Sequence, residues 1–256
     1  MESESEVIKE KIHTEPMLND PRYITLLSVI VLAFTLLFWW CFSRRRHARR
    51  SVLFTGLSDS GKTLLFVRLA YSQYRQTFTS MRENVEEYMT SNNTLKIVDL
   101  PGQERLRNKF FDQYKSSAKA IVYVVDSVTF QKEIRDVAEY LYTILQDPIV
   151  QSNCPPLLIL CNKQDQPMAK GIQILFTTHS NLTNKITRYN MTSFCPQLQS
   201  VDPSESNNSV YLGKLGKDFE FSHLNCRVDI VEGSANTGDD DNPTDIKALQ
   251  DWISKL

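Results

Sequence analysis

The chain has 256 residues, enough for one or two domains with a sizeable core and too many for a miniature disulfide scaffold. Its formal net charge of −1 argues against a general nucleic-acid binder, and no direct nucleic-acid partner is expected. Five cysteines, scattered and without a C-x-x-C pair, argue against a disulfide framework and a zinc site and fit a reducing compartment.

The mean hydropathy of −0.32 conceals a segregated chain. After an acidic stretch, residues 1–22, the 21 residues from Tyr23 to Ser43 carry no charge. As a helix they span roughly 30 Å, the thickness of a hydrocarbon layer, and Thr25, Ser28 and Thr35 can bond to their own backbone. Tyr23, Trp39 and Trp40 suit the headgroup region, and a basic segment, residues 44–50 with Arg44-Arg45-Arg46, follows. The expectation is a retained transmembrane helix over 23–43 with a lumenal tail before it. The C-terminal bulk is then cytosolic, and the arginines can meet anionic membrane lipid.

From residue 51 to 256 short apolar β-rich runs alternate with amphipathic stretches, the pattern of an α/β domain with a mostly parallel sheet. In chain order the expected elements are a strand at Ser51–Thr55, a helix from Lys62 to about Tyr74, and a hairpin of Val85–Met89 with Thr94–Val98 about Ser91-Asn92-Asn93. A helical stretch near Glu104–Ser117 follows, then strand Ala120–Val125, helix Phe130–Gln146, and strands Leu157–Cys161 and Arg227–Val231. A closing helix, Thr244–Lys255, is capped by Asn242-Pro243 and presents Ile246, Leu249 and Ile253 on one core-facing side. Residues from about 168 to 225, rich in Asn, Ser and Thr, read as a partly helical, partly flexible insertion.

Four motifs fall on strand ends. Gly56-Leu57-Ser58-Asp59-Ser60-Gly61-Lys62-Thr63 fits G-x-x-x-x-G-K-[ST] between a strand and a helix, the context of a phosphate-binding P-loop. Its backbone N–H groups, continuing to Leu64, would cradle phosphates, Lys62 would reach the terminal ones and Thr63 would hold Mg²⁺. Asp99-Leu100-Pro101-Gly102 puts an acid near that magnesium and the Gly102 N–H where a γ-phosphate would be sensed. In Asn162-Lys163-Gln164-Asp165 the carboxylate pairs with guanine's two N–H donors, which selects GTP or GDP over adenine nucleotides. Ser234-Ala235, after Gly233, can supply a backbone N–H to the guanine O6. The first switch is expected at Thr77-Phe78-Thr79-Ser80, with Thr79 as the magnesium ligand and Thr77 the alternative. Arg105 and Arg107 are expected to be solvated or to face a partner. Of only 8 glycines, Gly56, Gly61, Gly102 and Gly233 lie in these motifs.

In this order the motifs resemble the Ras-like small GTPases, and Asn84-Val85-Glu86 is similar to the ADP-ribosylation factor branch. The uncharged N-terminal segment, Gly56–Thr63, Asp99–Glu104, Cys161–Asp165 and Gly216–Ser222 together resemble the signal recognition particle receptor beta subunit family. That resemblance implies a P-loop GTPase domain with a mostly parallel six-stranded sheet and helices on both faces, held at the endoplasmic reticulum membrane. Its implied partner is the receptor alpha subunit, with the translocon and ribosome as further candidates, and its implied role is cotranslational protein targeting. Gln103 stands where many GTPases carry the catalytic glutamine that orients attacking water, whereas members of the receptor family often carry His there; the glutamine makes hydrolysis more plausible, and slow or partner-stimulated GTP hydrolysis is expected. Two other readings stay open: an anchored ADP-ribosylation-factor-like GTPase of vesicle trafficking, and an anchor that keeps GTP bound without turnover.

Overall fold

The structure is a computed structural model that describes residues 21–47, 49–90, 93–171, 212, 220–236 and 245–256. The expected lumenal tail, the hairpin turn, most of the insertion and the Asn242-Pro243 cap lie wholly or mainly outside the described residues. The chain divides into two compact units, Met1–Ala48 and Arg49–Leu256.

The first unit holds one helix, α1 (Pro21–His47), of 27 residues. Its described apolar side chains occupy consecutive positions, including Leu26, Leu27, Val29, Ile30, Val31 and Leu32, and all are exposed. Ser28 and Thr35 donate their hydroxyls to the Thr25 and Leu32 carbonyls at 2.8 and 2.9 Å, as expected from the sequence. Among the described residues no helix is long and apolar enough to cross a membrane. Side chains of α1 are described only from 25 to 38, about 20 Å of helix, whereas a hydrocarbon layer needs roughly 30 Å.

The second unit is a six-stranded sheet in the order β2-β3-β1-β4-β5-β6. The strands are β1 (Ser51–Thr55), β2 (Asn84–Met89), β3 (Thr94–Asp99), β4 (Ala118–Asp126), β5 (Leu157–Asn162) and β6 (Val228–Glu232). Among the described pairings of these six strands, only β2–β3 is antiparallel. β1, β4 and β5 are covered on both faces, which is why they read as unbroken apolar runs. Alternation along β1 sends Leu53 to one core and Val52 and Phe54 to the other.

Helices supply the second half of each core. Helix α2 (Lys62–Tyr71) offers Leu65, Phe66 and Leu69, and α6 (Lys247–Ser254) offers Leu249, Trp252 and Ile253 on the same side. On the opposite face lie α3 (Glu104–Tyr114) and α4 (Phe130–Gln146). The apolar positions of α4, among them Ile134, Val137, Leu141 and Leu145, recur at helical spacing and are buried. A short helix, α5 (Pro148–Asn153), is absent from the sequence expectation; Asp147 caps it by accepting from the Ile149 and Val150 N–H groups. Helix α2 stops at Tyr71, three residues short of the expected end, because Ser72 turns left-handed at φ 53°.

Because five strands run parallel, their C-terminal ends share one edge. The P-loop, Asp99, Asp126, Asn162 and Gly233 all follow or terminate strands there, the place where open α/β sheets form a ligand crevice.

Candidate nucleotide-binding site

A cavity of about 660 Å³ opens at this edge. Its lining brings together residues of all the motifs, with Lys62, Thr63, Gly102, Asn162, Asp165 and Ala235 among them. The volume is that of a small-molecule pocket.

The phosphate end is built from backbone. Gly61 takes φ 88°, and a Cβ there would strike the Asn162 amide, so both conformation and space require glycine. A Cβ on Gly102 would lie 2.6 Å from the Ser58 nitrogen, so glycine is what lets the Asp99–Gly102 turn lie this close to the P-loop. Lys62 is 5 % exposed, and its Nζ donates to the Leu57 carbonyl at 2.5 Å and to Ser60 Oγ at 3.2 Å. Burial lowers its pKa to about 8, although Asp99 and Asp59 pull it upward.

Beside it, Asp99 is fully buried. Its Oδ2 accepts from Thr63 Oγ1 at 2.8 Å and from Asn84 Nδ2 at 3.0 Å. Its Oδ1 is buried with no hydrogen-bond partner. Burial raises the carboxyl's pKa, opposed by the bonds from Asn84 and Thr63 and by the Lys62 charge. A desolvated carboxylate oxygen lacking a donor, next to hydroxyls, fits a small divalent cation. Among the described residues no cluster of three His, Cys, Asp or Glu side chains exists, so such an ion would take most of its oxygens from hydroxyls, water or phosphate.

The hydroxyl that reaches this corner from the 72–83 loop belongs to Ser80, which bonds Thr63 Oγ1 at 3.0 Å. Thr77, Phe78 and Thr79 line the cavity, but Thr79 is exposed and neither threonine bonds Thr63 or Asp99. Asn84, at the start of β2, fixes the corner by reaching both Ser80 and Asp99.

The base end is braced by a different set. Asn162 donates from Nδ2 to the Ser60 carbonyl at 2.8 Å and accepts at Oδ1 from the Ala235 N–H at 3.2 Å, joining the P-loop to the 233–236 loop. Asp165 is exposed; its Oδ1 accepts from Ser234 Oγ at 2.5 Å, which holds the carboxylate toward the cavity. Lys163, at φ 66°, pairs through Nζ with Asp126 at 2.7 Å. Gln164 bonds Ser127 Oγ and the Lys170 carbonyl, tying the loop to the end of β4.

Several lining residues escape the sequence motifs: Asp126, Val128, Thr129, Gln166 and Asn236. The signal available for Asp126 was a charge closing an apolar run at a strand's C-terminal end. Leu57 packs against the core, while Ser58, Asp59 and Leu64 border the cavity. Gln103 is exposed at the N-cap of α3 and does not line the cavity. Arg107, expected in solvent or facing a partner, instead lies half-buried with its guanidinium 4.5 Å from the Tyr140 ring centre. The aromatic face offers more to a planar cation than the adjacent water does.

The parallel sheet with this crevice defines the class: a P-loop small GTPase fold. A solved structure of the Arl6 BBS3 small GTPase from Trypanosoma brucei shares it at TM-score 0.52 and 15% identity, covering 80% of this chain and 95% of that one. A family model described as the signal recognition particle receptor beta subunit matches residues 47–228, and the chain belongs to that family. The subunit of Rattus norvegicus is 42% identical over 253 residues, 96% of this chain and 92% of its own. The solved structure of the mammalian SRP receptor is 43% identical at TM-score 0.68, covering 80% of this chain and 99% of that one. ADP-ribosylation factor-like protein 14 of Mus musculus, 34% identical, covers 46% of this chain.

Proposed function

We propose that the protein is the GTP-binding, membrane-anchored subunit of a signal recognition particle receptor and tethers the alpha subunit to the endoplasmic reticulum. The observation that carries this reading is the convergence of the P-loop, Asp99 and the Asn162–Asp165 loop on one cavity in a chain of this family. GTP would lie with its phosphates over Gly56–Leu64 and its base against Asp165 and the Ala235 N–H. Thr63, Asp99 and Ser80 would hold Mg²⁺, which neutralises phosphate charge when bound.

The anchor in this reading is the uncharged segment 23–43, followed by the basic residues 44–50. Its support is the sequence and the exposure of apolar side chains around the whole circumference of the described part of α1, a surface that water disfavours. Residues 51–256 are the cytosolic domain, with the insertion at about 168–225. The alpha subunit docks on the switch side, where Phe78 is 79% exposed and Met81 65%.

Hydrolysis is slow in the isolated protein, because Gln103 faces solvent beside the site and a partner must bring it inward. Equilibrium binding to GTP, GDP and ATP tests the nucleotide reading. Guanine nucleotides bind with Mg²⁺-dependent affinity and ATP at least about a hundredfold more weakly, since adenine leaves the Asp165 carboxylate without its donors. Equal binding of ATP would overturn it.

A further inference from the structure

The parallel strands also share an N-terminal edge, remote from the nucleotide. There Lys119, Cys154, Pro156, Arg227, Trp252 and Lys255 line a cleft of about 380 Å³. Register builds it: Leu157 of β5 pairs with Val228 of β6 and donates its N–H to the Arg227 carbonyl at 2.8 Å, setting Pro156 beside Arg227. Lys119 is the second residue of β4, and α6 brings Trp252 and Lys255 across the opening.

The charge here is lopsided. Asp229 is engaged, accepting at Oδ2 from Arg227 Nε and Trp252 Nε1, each at 2.7 Å. Leu256 also lines the cleft. Among the described residues no hydrogen bond or ion pair holds the Nζ of Lys119 or Lys255. Arg49 adds a further cation beside the cleft, its Nη1 donating to the Asn153 carbonyl next to Cys154 at 3.3 Å. Arg50 follows it at the start of β1, its carbonyl accepting from the Lys96 N–H.

We propose that this cleft and its rim bind the headgroups of anionic phospholipid. The inference rests on the membrane-anchor reading above and extends it from the N-terminal segment to the folded domain. Arg49 lies six residues beyond Ser43, the last of the uncharged run. A chain of that length reaches about 20 Å at most. If 23–43 spans the bilayer, the edge where β1 begins stands within that distance of the headgroups, and clustered cations there meet a negative surface before any soluble anion does. The walls of Trp252 and Pro156 give a glycerol backbone apolar contact beside the phosphate.

The test is amine labelling of the full chain in nanodiscs of phosphatidylcholine alone or with phosphatidylserine added, read residue by residue by mass spectrometry. Retention in the discs after alkaline washing checks the anchor separately, and a chain that washes out removes the basis of this inference too. In the anchored protein, Lys119 and Lys255 react about threefold or more slowly with phosphatidylserine present, and concentrated salt abolishes the difference. Exposed Lys132, at the start of α4, is unaffected and serves as the internal control. Charge reversal by Arg227→Glu weakens the protection of Lys119, and the persisting low reactivity of buried Lys62 reports that the domain remains folded. Equal labelling in both discs would overturn the proposal. So would protection in phosphatidylcholine discs by inorganic phosphate, which would mark a soluble-anion site, or protection only when the alpha subunit is added, which would mark an acidic protein surface.

Discussion

Lys62 is an amine almost wholly removed from water, beside one buried carboxylate and facing a cavity. Burial holds its pKa at about 8 against an ordinary 10.5. Between those values the unfolded chain binds more protons than the folded one, so stability rises with pH across that interval, and at neutral pH the buried charge is a cost. Phosphate brought to within contact raises the pKa again. GTP binding is therefore accompanied by proton uptake that grows as pH rises above about 8, and affinity declines there. Calorimetry in buffers of different ionisation enthalpy measures it; proton-neutral binding at pH 9 would be inconsistent.

At the base end, Ser234→Ala removes the hydroxyl that orients Asp165 and weakens GTP by about 1 kcal/mol, with little change in melting temperature. The ratio of GTP to GDP affinity stays fixed, since both carry the same base.

Much of the site was legible at this scale because P-loop and base-recognition residues occur at fixed offsets from strand ends. Ser80 was not. The 72–83 loop has no periodicity and several hydroxyls, and the choice among them is made by Asn84 and Asp99, distant in sequence and adjacent in space. Asp126 and Thr129 carry no motif spacing of their own; the β4–β5 register brings Asp126 level with Asn162.

At the scale of elements, a buried chain of contacts joins α3, α4 and the P-loop. Arg107 of α3 covers Tyr140 of α4, whose hydroxyl bonds Thr55 Oγ1 at 2.7 Å, and Thr55 immediately precedes Gly56. Tyr140 is 1 % exposed, and burial pushes its phenol up to about 12, so it stays neutral at any physiological pH. Tyr140→Phe leaves Thr55 short of a partner and costs about 1–2 kcal/mol, readable by denaturant titration. Arg107→Ala loses the stack and costs about 1 kcal/mol.

Strands β1, β4 and β5 and helix α4 were readable to within two residues because burial on both faces, or on one helical stripe, leaves an unambiguous pattern. Helix α5 is too short for a period to show, although Asp147-Pro148 is a capping residue followed by the proline suited to the first helical position. Arg107 was misread for a related reason: sequence registers its charge, whereas its place is set by the packing of α3 against α4.

At the scale of the molecule, an apolar helix and a basic juncture precede the α/β domain, whose 72–83 loop exposes Phe78 and Met81. Phe78 lines the nucleotide cavity, whereas Met81 lies outside its lining. Met81→Ser lowers affinity for the alpha subunit about fivefold or more while leaving GTP affinity within about twofold. Loss of both activities together would mean that the loop serves the nucleotide rather than the partner.

The most direct measurement is capture of the alpha subunit by the full chain in proteoliposomes loaded with GTP, with GDP, or carrying Lys62→Ala. Capture is strong with GTP, weak with GDP and near background for the variant if GTP-ordered switches hold the alpha subunit. Equal capture in all three would contradict that reading.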